Sequence, residues 1–282
     1  MAEFGVDSLL PPQMARRVEG VGVAKAELDT LSMFVLALLA GAFIALGAIF
    51  ATVAVSGSGD MAFGVKKVLG GFVFSLGLVL VVIGGAELFT GNNLIVMAWA
   101  GGKVSTAQLL RNWLIVFAGN FVGSIGTAVI MFFTGYYRFG GGAVGLTALS
   151  IANSKVHLGF VQAVALGVMC NVLVCLAVWL TFSARTTVDK IAAIVFPITA
   201  FVAAGFEHCV ANMYFIPFGL LIKEFDPTFA DSSGLSLEGL TWQSFFAANL
   251  LPVTVGNIIG GAVLVAAVYW FIYLRPRMIR ED

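Results

Sequence analysis

Gly85-Ala86-Glu87-Leu88-Phe89-Thr90-Gly91-Asn92-Asn93 and Gly205-Phe206-Glu207-His208-Cys209-Val210-Ala211-Asn212-Met213 each interrupt a long apolar run. Aligned without a gap, they share Gly at the first position, Glu at the third and Asn at the eighth. Glu87, Glu207 and His208 thus put ionisable groups deep inside apolar segments, where charge is costly and marks a functional site. A pair of Gly-interrupted apolar segments at matching places in two halves of a chain points to a substrate path near the membrane midplane. The two stretches imply an integral membrane transport protein.

Composition agrees. The chain has 282 residues, 60% hydrophobic and 11% charged, with a mean hydropathy of +1.01. Soluble domains carry about 25% charged residues. A span needs about 20 apolar residues, and the chain holds apolar length for six. Its 15 basic and 15 acidic residues cancel, which gives no footprint for nucleic acid. Cys170, Cys175 and Cys209 lie in apolar segments and read as small packing residues. Residues 1–29 carry five carboxylates and no apolar core of a signal peptide. Instead, Gln13 to Leu28 is expected to form a short amphipathic helix on the cytoplasmic membrane face.

The spans are predicted at 31–55, from 68 to a break at 84–93 with a half-helix over 94–100, 109–133, 158–182, 191–222 with a break at 205–212, and 246–274. Gly85, Gly91 and Gly205 supply the backbone freedom that the breaks need. Backbone freed at membrane depth survives only where protein buries it or it lines a wet cavity. The repeat reaches further, because Gly119-Asn120-Phe121-Val122-Gly123 matches Gly256-Asn257-Ile258-Ile259-Gly260. Three spans per copy is an odd number, so the second copy is inverted. The expected fold is all-α: six transmembrane helices as an inverted 3+3 repeat, with helices 2 and 5 broken. Residues 30–275 form the channel domain, and residues 1–29 and 276–282 are cytoplasmic. With the N-terminus inside, ten lysines and arginines fall on inner segments and five on outer ones, which favours cytoplasmic termini.

Several side chains are candidates for chemistry. His208 is read as a proton donor at the narrowest part of a pore, against the plainer reading of a hydrogen-bonded packing histidine. Glu87 and Glu207 are expected to tie down backbone N–H groups at the half-helix ends; direct proton handling is the alternative. Thr90 holds His208, meets the permeant, or only bonds its own loop. Asn171 and Asn257 either line the pore or join helices. Leu88 and Phe89, with Phe74, Leu78 and Phe201 on the flanking helices, either constrict a pore or face lipid or core. Lys155 either draws anions into a vestibule or is a surface lysine.

Val82-Ile83-Gly84-Gly85-Ala86-Glu87-Leu88-Phe89-Thr90-Gly91 resembles the first hallmark motif of the formate/nitrite transporter family. Gly167-Val168-Met169-Cys170-Asn171-Val172-Leu173-Val174-Cys175-Leu176-Ala177 resembles its second. The resemblance covers essentially the whole chain. It implies an aquaporin-like protomer, a homopentamer with one pore per protomer, and passage of formate or a related small monovalent anion, often with a proton, across the bacterial inner membrane. By that resemblance the central histidine is His208 and its partner threonine Thr90. The pore asparagines are Asn171 and Asn257, the vestibule lysine is Lys155, and the constrictions are Leu78, Leu88, Phe74, Phe201 and Val174. No cofactor or metal is implied.

Two rivals are weaker. A water or glycerol channel is disfavoured because neither break carries Asn-Pro-Ala. An intramembrane enzyme is disfavoured because adjacent His208 and Cys209 diverge on most backbones and no second ligand pair accompanies them. Formate, nitrite and hydrosulfide stay unseparated at this level, as do passive channel and proton symport.

Overall fold

A computed structural model describes residues 8–275; the expected tail at 276–282 lies outside them. Among the described residues the chain is helical, without strands. Helix α1 (Pro11–Glu27) opens with prolines in its first turn, where missing N–H groups cost nothing. Asp29 then caps α2 (Thr30–Val55) by accepting from Ser32 N–H. Helix α3 (Phe63–Gly84) follows, and after a break the chain forms a 3₁₀ turn (Gly91–Ile95) and α4 (Val96–Ala100). Ser105 and Gln108 make a capping box for α5 (Thr106–Phe133).

The second half begins with α6 (Ala143–Val156), entered through three consecutive left-handed glycines, Gly140 to Gly142. Helix α6 fills most of the interval between the spans predicted at 109–133 and 158–182. Helices α7 (Phe160–Ser183), α8 (Thr187–Ala203) and α9 (Cys209–Phe225) follow, then a short α10 (Pro227–Ser232) inside the acidic connection. Asp226 caps α10 through Phe229 N–H and also accepts from Tyr137 and Arg138. The last helix, α11 (Trp242–Tyr273), includes two π-helical stretches.

Among the described residues, five helices are individually long and apolar enough to cross a membrane: α2, α3, α5, α7 and α11. The segment expected at 191–222 is absent from that set because it is divided into α8 and α9, of 17 residues each.

The two halves pack in the same way. α2 lies against α5, α7 against α11, and α3 against α8. Between apolar helices in lipid, small residues permit the close approach that supplies packing energy. Gly119 and Gly123 of α5 meet backbone of Phe34 and Leu38, and Gly256 and Gly260 of α11 meet backbone of Val164 and Val168. A Cβ at Gly123 or Gly260 would collide with a carbonyl oxygen that cannot move without its helix. Gly123→Val and Gly260→Val are therefore expected to lower the thermal unfolding midpoint in detergent, by overpacking of about 3 kcal/mol or more. Gly126→Val, where a Cβ meets nothing within 4 Å, should leave the midpoint near wild type.

Candidate functional site

Each break begins with a glycine in left-handed conformation, Gly85 at φ 80° and Gly205 at φ 74°. The turn closes on the helix it ends: Ala86 N–H donates to Val81 O at 2.9 Å and Phe206 N–H to Phe201 O at 3.0 Å. Gly91, by contrast, is not left-handed; it starts the 3₁₀ turn.

Beyond the glycine the backbone has no helical partner, and buried N–H and C=O groups left unpaired cost about 1–3 kcal/mol each. One asparagine per break meets most of this need. Asn120 of α5 donates to Glu87 O (2.9 Å) and Ala37 O (2.7 Å), and its Oδ1 accepts from Phe89 N–H (2.9 Å). Asn257 of α11 donates to Glu207 O (2.9 Å) and Gly167 O (2.8 Å), and accepts from Cys209 N–H (2.9 Å). Glu87 N–H reaches Leu36 O and Glu207 N–H reaches Leu166 O. Asn257 was read either as a pore group or as a join between helices. Its side chain bonds only backbone groups among the described residues, which is the joining role.

The two carboxylates also differ from expectation. Neither caps a backbone N–H. Glu87 accepts from Lys25 Nζ at 2.5 Å and from Asn92 Nδ2 at 2.7 Å. Glu207 accepts from Lys155 Nζ at 2.7 Å and from Asn212 Nδ2 at 2.7 Å. Asn112 and Asn249 complete the clusters, each accepting from the asparagine of its break and donating to the carbonyl of Lys25 or Lys155. A buried charge persists only when paired and hydrogen-bonded, and here each carboxylate has both. Lys155 is accordingly no surface lysine: its side chain is 14% exposed.

Lys25, Asn112 and Asn249 escaped the sequence reading. A signal was present: Lys25 and Leu36 recur as Lys155 and Leu166 at one offset, and Asn112 and Asn120 recur as Asn249 and Asn257 at another. The repeat therefore starts earlier than three spans, pairing α1 with α6.

His208 sits where the two breaks face one another. Its Nδ1 accepts from Ala211 N–H at 3.0 Å and its Nε2 lies 2.9 Å from Thr90 Oγ1. Since Nδ1 accepts, the neutral ring carries its proton on Nε2 and donates it to Thr90 Oγ1, leaving the threonine hydroxyl proton available to a third group. Thr90 O in turn accepts from Asn171 Nδ2 and Cys175 Sγ, both at 3.3 Å. These bonds fix the threonine and give Asn171 and Cys175 a positioning role. Leu88 holds in the first break the place that His208 holds in the second.

A cavity of about 650 Å³ opens onto this point, lined by Phe74, Phe201, Glu207, His208 and Lys155 among others. Phe201 stacks on His208 at 5.9 Å and meets Phe74 edge-on at 5.7 Å. Leu78, Leu88 and Val174 are buried in the same apolar cluster as Phe74 and Phe201 but off the cavity wall. On the α1 side the corresponding space shrinks to about 30 Å³ beside Val18, Gly22 and Lys25. There α1 buries Met14, Ala15 and Val18, and Glu19 bonds Lys103 at 2.6 Å.

Asn257→Leu leaves three buried backbone groups without their partner. It is expected to destabilise the folded protein by about 3 kcal/mol or more, measured as the unfolding midpoint in detergent. An unchanged midpoint would mean that the break does not depend on this side chain.

Comparison with known proteins places the chain among relatives of one kind. A family model described as "Formate/nitrite transporter" matches residues 12–271. The chain is 46% identical over 278 residues to the formate channel FocA of Escherichia coli, covering 97% of this chain and 98% of that one. It superposes on a pentameric formate channel with formate bound at a TM-score of 0.82 and 48% identity, over 87% of this chain and 98% of the other. It superposes on an FNT family ion channel at 0.76 and 28%, over 92% and 98%. The chain belongs to the formate/nitrite transporter family.

Proposed function

We propose that this protein passes formate, and related small monovalent anions such as nitrite or hydrosulfide, across the bacterial inner membrane. It does so as a channel or formate/proton symporter that assembles as a homopentamer with one path per protomer. The observation that carries the reading is the His208 Nε2–Thr90 Oγ1 contact of 2.9 Å at the floor of the cavity, between two buried backbone breaks. The similarity to a formate channel and to a pentameric channel with formate bound supports the substrate and the assembly.

In this reading α3 with the 3₁₀ turn and α4 makes one broken span, and α8 with α9 makes another. Together with α2, α5, α7 and α11 they give six spans in an inverted, aquaporin-like repeat. The matched hydrogen bonds of Asn120 and Asn257 support that symmetry. Residues 30–275 form the channel domain, and both termini face the cytoplasm, in line with the excess of lysine and arginine on that side.

The mechanism follows from desolvation. A bare anion entering an apolar constriction loses water worth several kcal/mol, and its neutral acid avoids most of that. Phe74 and Phe201 on one side and Leu78, Leu88 and Val174 on the other are the constrictions. Thr90 Oγ–H is the donor that meets the anion; at acid pH Nδ1 of His208 takes up a proton in place of its bond from Ala211 N–H, and the imidazolium so formed passes its Nε2 proton to Thr90 as Thr90 gives its own to the anion, which returns the ring to neutral. Asn171, Asn257, Glu87 and Glu207 hold the breaks in register. The relatives are channels and transporters, and no enzymatic step belongs to this reading.

The test is formate flux into proteoliposomes at several pH values, with nitrite and hydrosulfide as competitors. The wild type should change steeply between about pH 7 and pH 5, the range in which imidazole titrates. His208→Phe and Thr90→Val should each abolish proton-coupled uptake and the acid response while the protein remains folded. Unchanged pH dependence in both variants would remove the pair from the mechanism. Swelling without solute selectivity would favour a neutral-solute channel instead.

A further inference from the structure

Three lysines and one carboxylate line the cavity: Lys66, Lys67, Lys155 and Glu207. Their charges are not equivalent. Lys155 Nζ is bound to Glu207 Oε1 at 2.7 Å and lies 5.6 Å above the Phe215 ring, so its charge is already answered by a carboxylate. Lys66 and Lys67, near the start of α3, are half-buried in the wall, and neither forms an ion pair among the described residues. Lys67 Nζ lies 5.6 Å over the Phe63 ring. No carboxylate but Glu207 lines the cavity, and the surplus positive charge is therefore that of Lys66 and Lys67. α6 brings Thr147, Ser150 and Ser154 to the same space; Thr147 and Ser154 donate to the carbonyls of Ala143 and Ile151 in their own helix, and Ser150 is exposed.

We propose that Lys66 and Lys67, rather than Lys155, capture the permeant anion. They raise its concentration at the cavity mouth, and the exposed Ser150 hydroxyl of α6 can donate to it on the way to the His208–Thr90 pair. The inference rests on the reading of this cavity as the outer end of an anion path. Two uncompensated charges in a concave, low-dielectric wall focus field lines and accelerate the arrival of an opposite charge. A fixed ion pair has little field left at that distance. The pair of lysines acts on arrival alone, so its signature is a half-saturating concentration and a salt dependence.

The experiment uses the full chain in oriented membrane vesicles with the cavity side outward, and follows initial formate uptake against formate concentration. External ionic strength is set at about 20 mM and then about 500 mM, where the screening length falls from about 20 Å to about 4 Å. For the wild type, half-saturation should shift upward with salt. For K66Q/K67Q it should already be raised about fivefold at low salt and respond little to further salt, and K66R/K67R should behave as wild type. A folding defect lowers the saturating rate without moving half-saturation and is thereby told apart. Formate flux with wild-type half-saturation and salt response in K66Q/K67Q overturns this inference alone. Absence of formate flux in the wild type overturns the channel reading and this inference together.

Discussion

A backbone that leaves helical hydrogen bonding inside an apolar surrounding must find other partners for its N–H and C=O groups, and the rest of this structure is arranged around that need. Two asparagines from neighbouring helices meet it, Asn120 at the first break and Asn257 at the second, each bridging the break to the helix on its far side. Their helices must therefore run very close to α2 and α7. The glycines at 119, 123, 256 and 260 permit that closeness, because nothing larger fits between the backbones. The packing and the break are one device: the small residues bring the asparagine near, and the asparagine pays the hydrogen-bond debt.

The charge clusters add a second layer with a different logic. Each carboxylate is matched by a lysine from the helix that opens its half and by the asparagine one turn beyond the break. Removing one member of such a cluster leaves a buried charge uncompensated, which costs more than the pair itself contributes. The clusters thus fix the loops, and the second of them also borders the cavity through Lys155 and Glu207. The two halves differ at their centre. Leu88 occupies one break and His208 the corresponding position of the other, and the apolar and the polar residue together make an asymmetric centre from a symmetric frame. The same asymmetry appears at the ends, where α6 borders an open cavity and α1 fills its counterpart.

Much of this was legible in the chain. The glycine, glutamate and asparagine shared by the two breaks fixed the position of the site, because ionisable and helix-breaking residues have few other reasons to recur inside apolar segments. The matched Gly-Asn-x-x-Gly motifs identified α5 and α11 as equivalents for the same reason. The contact of Thr90 with His208 was one of the alternatives the residues offered and the one the family resemblance implied, and the geometry has it. The partners of the carboxylates were not legible. Lys25 lies in a helix that looks like a surface element, and a lone lysine next to water carries no sign that its head reaches a loop 62 residues away. Helix α6 was missed because its glycine-rich lead-in reads as a loop, and its mixed face shows neither a span nor a clear amphipathic period.

What the sequence determined by itself is the class of the fold, the two breaks and the residue types that must be paired there, since apolar length and buried polarity follow from composition and spacing. What only the tertiary structure decided is who pairs with whom. Asn257 and Asn171 serve backbone, Lys155 is committed to Glu207 while Lys66 and Lys67 are not, and Thr90 faces His208 across 118 residues of chain. Hydrogen bonds and ion pairs are short-ranged and directional, and a distance along the chain does not fix a distance in space until the helices are packed.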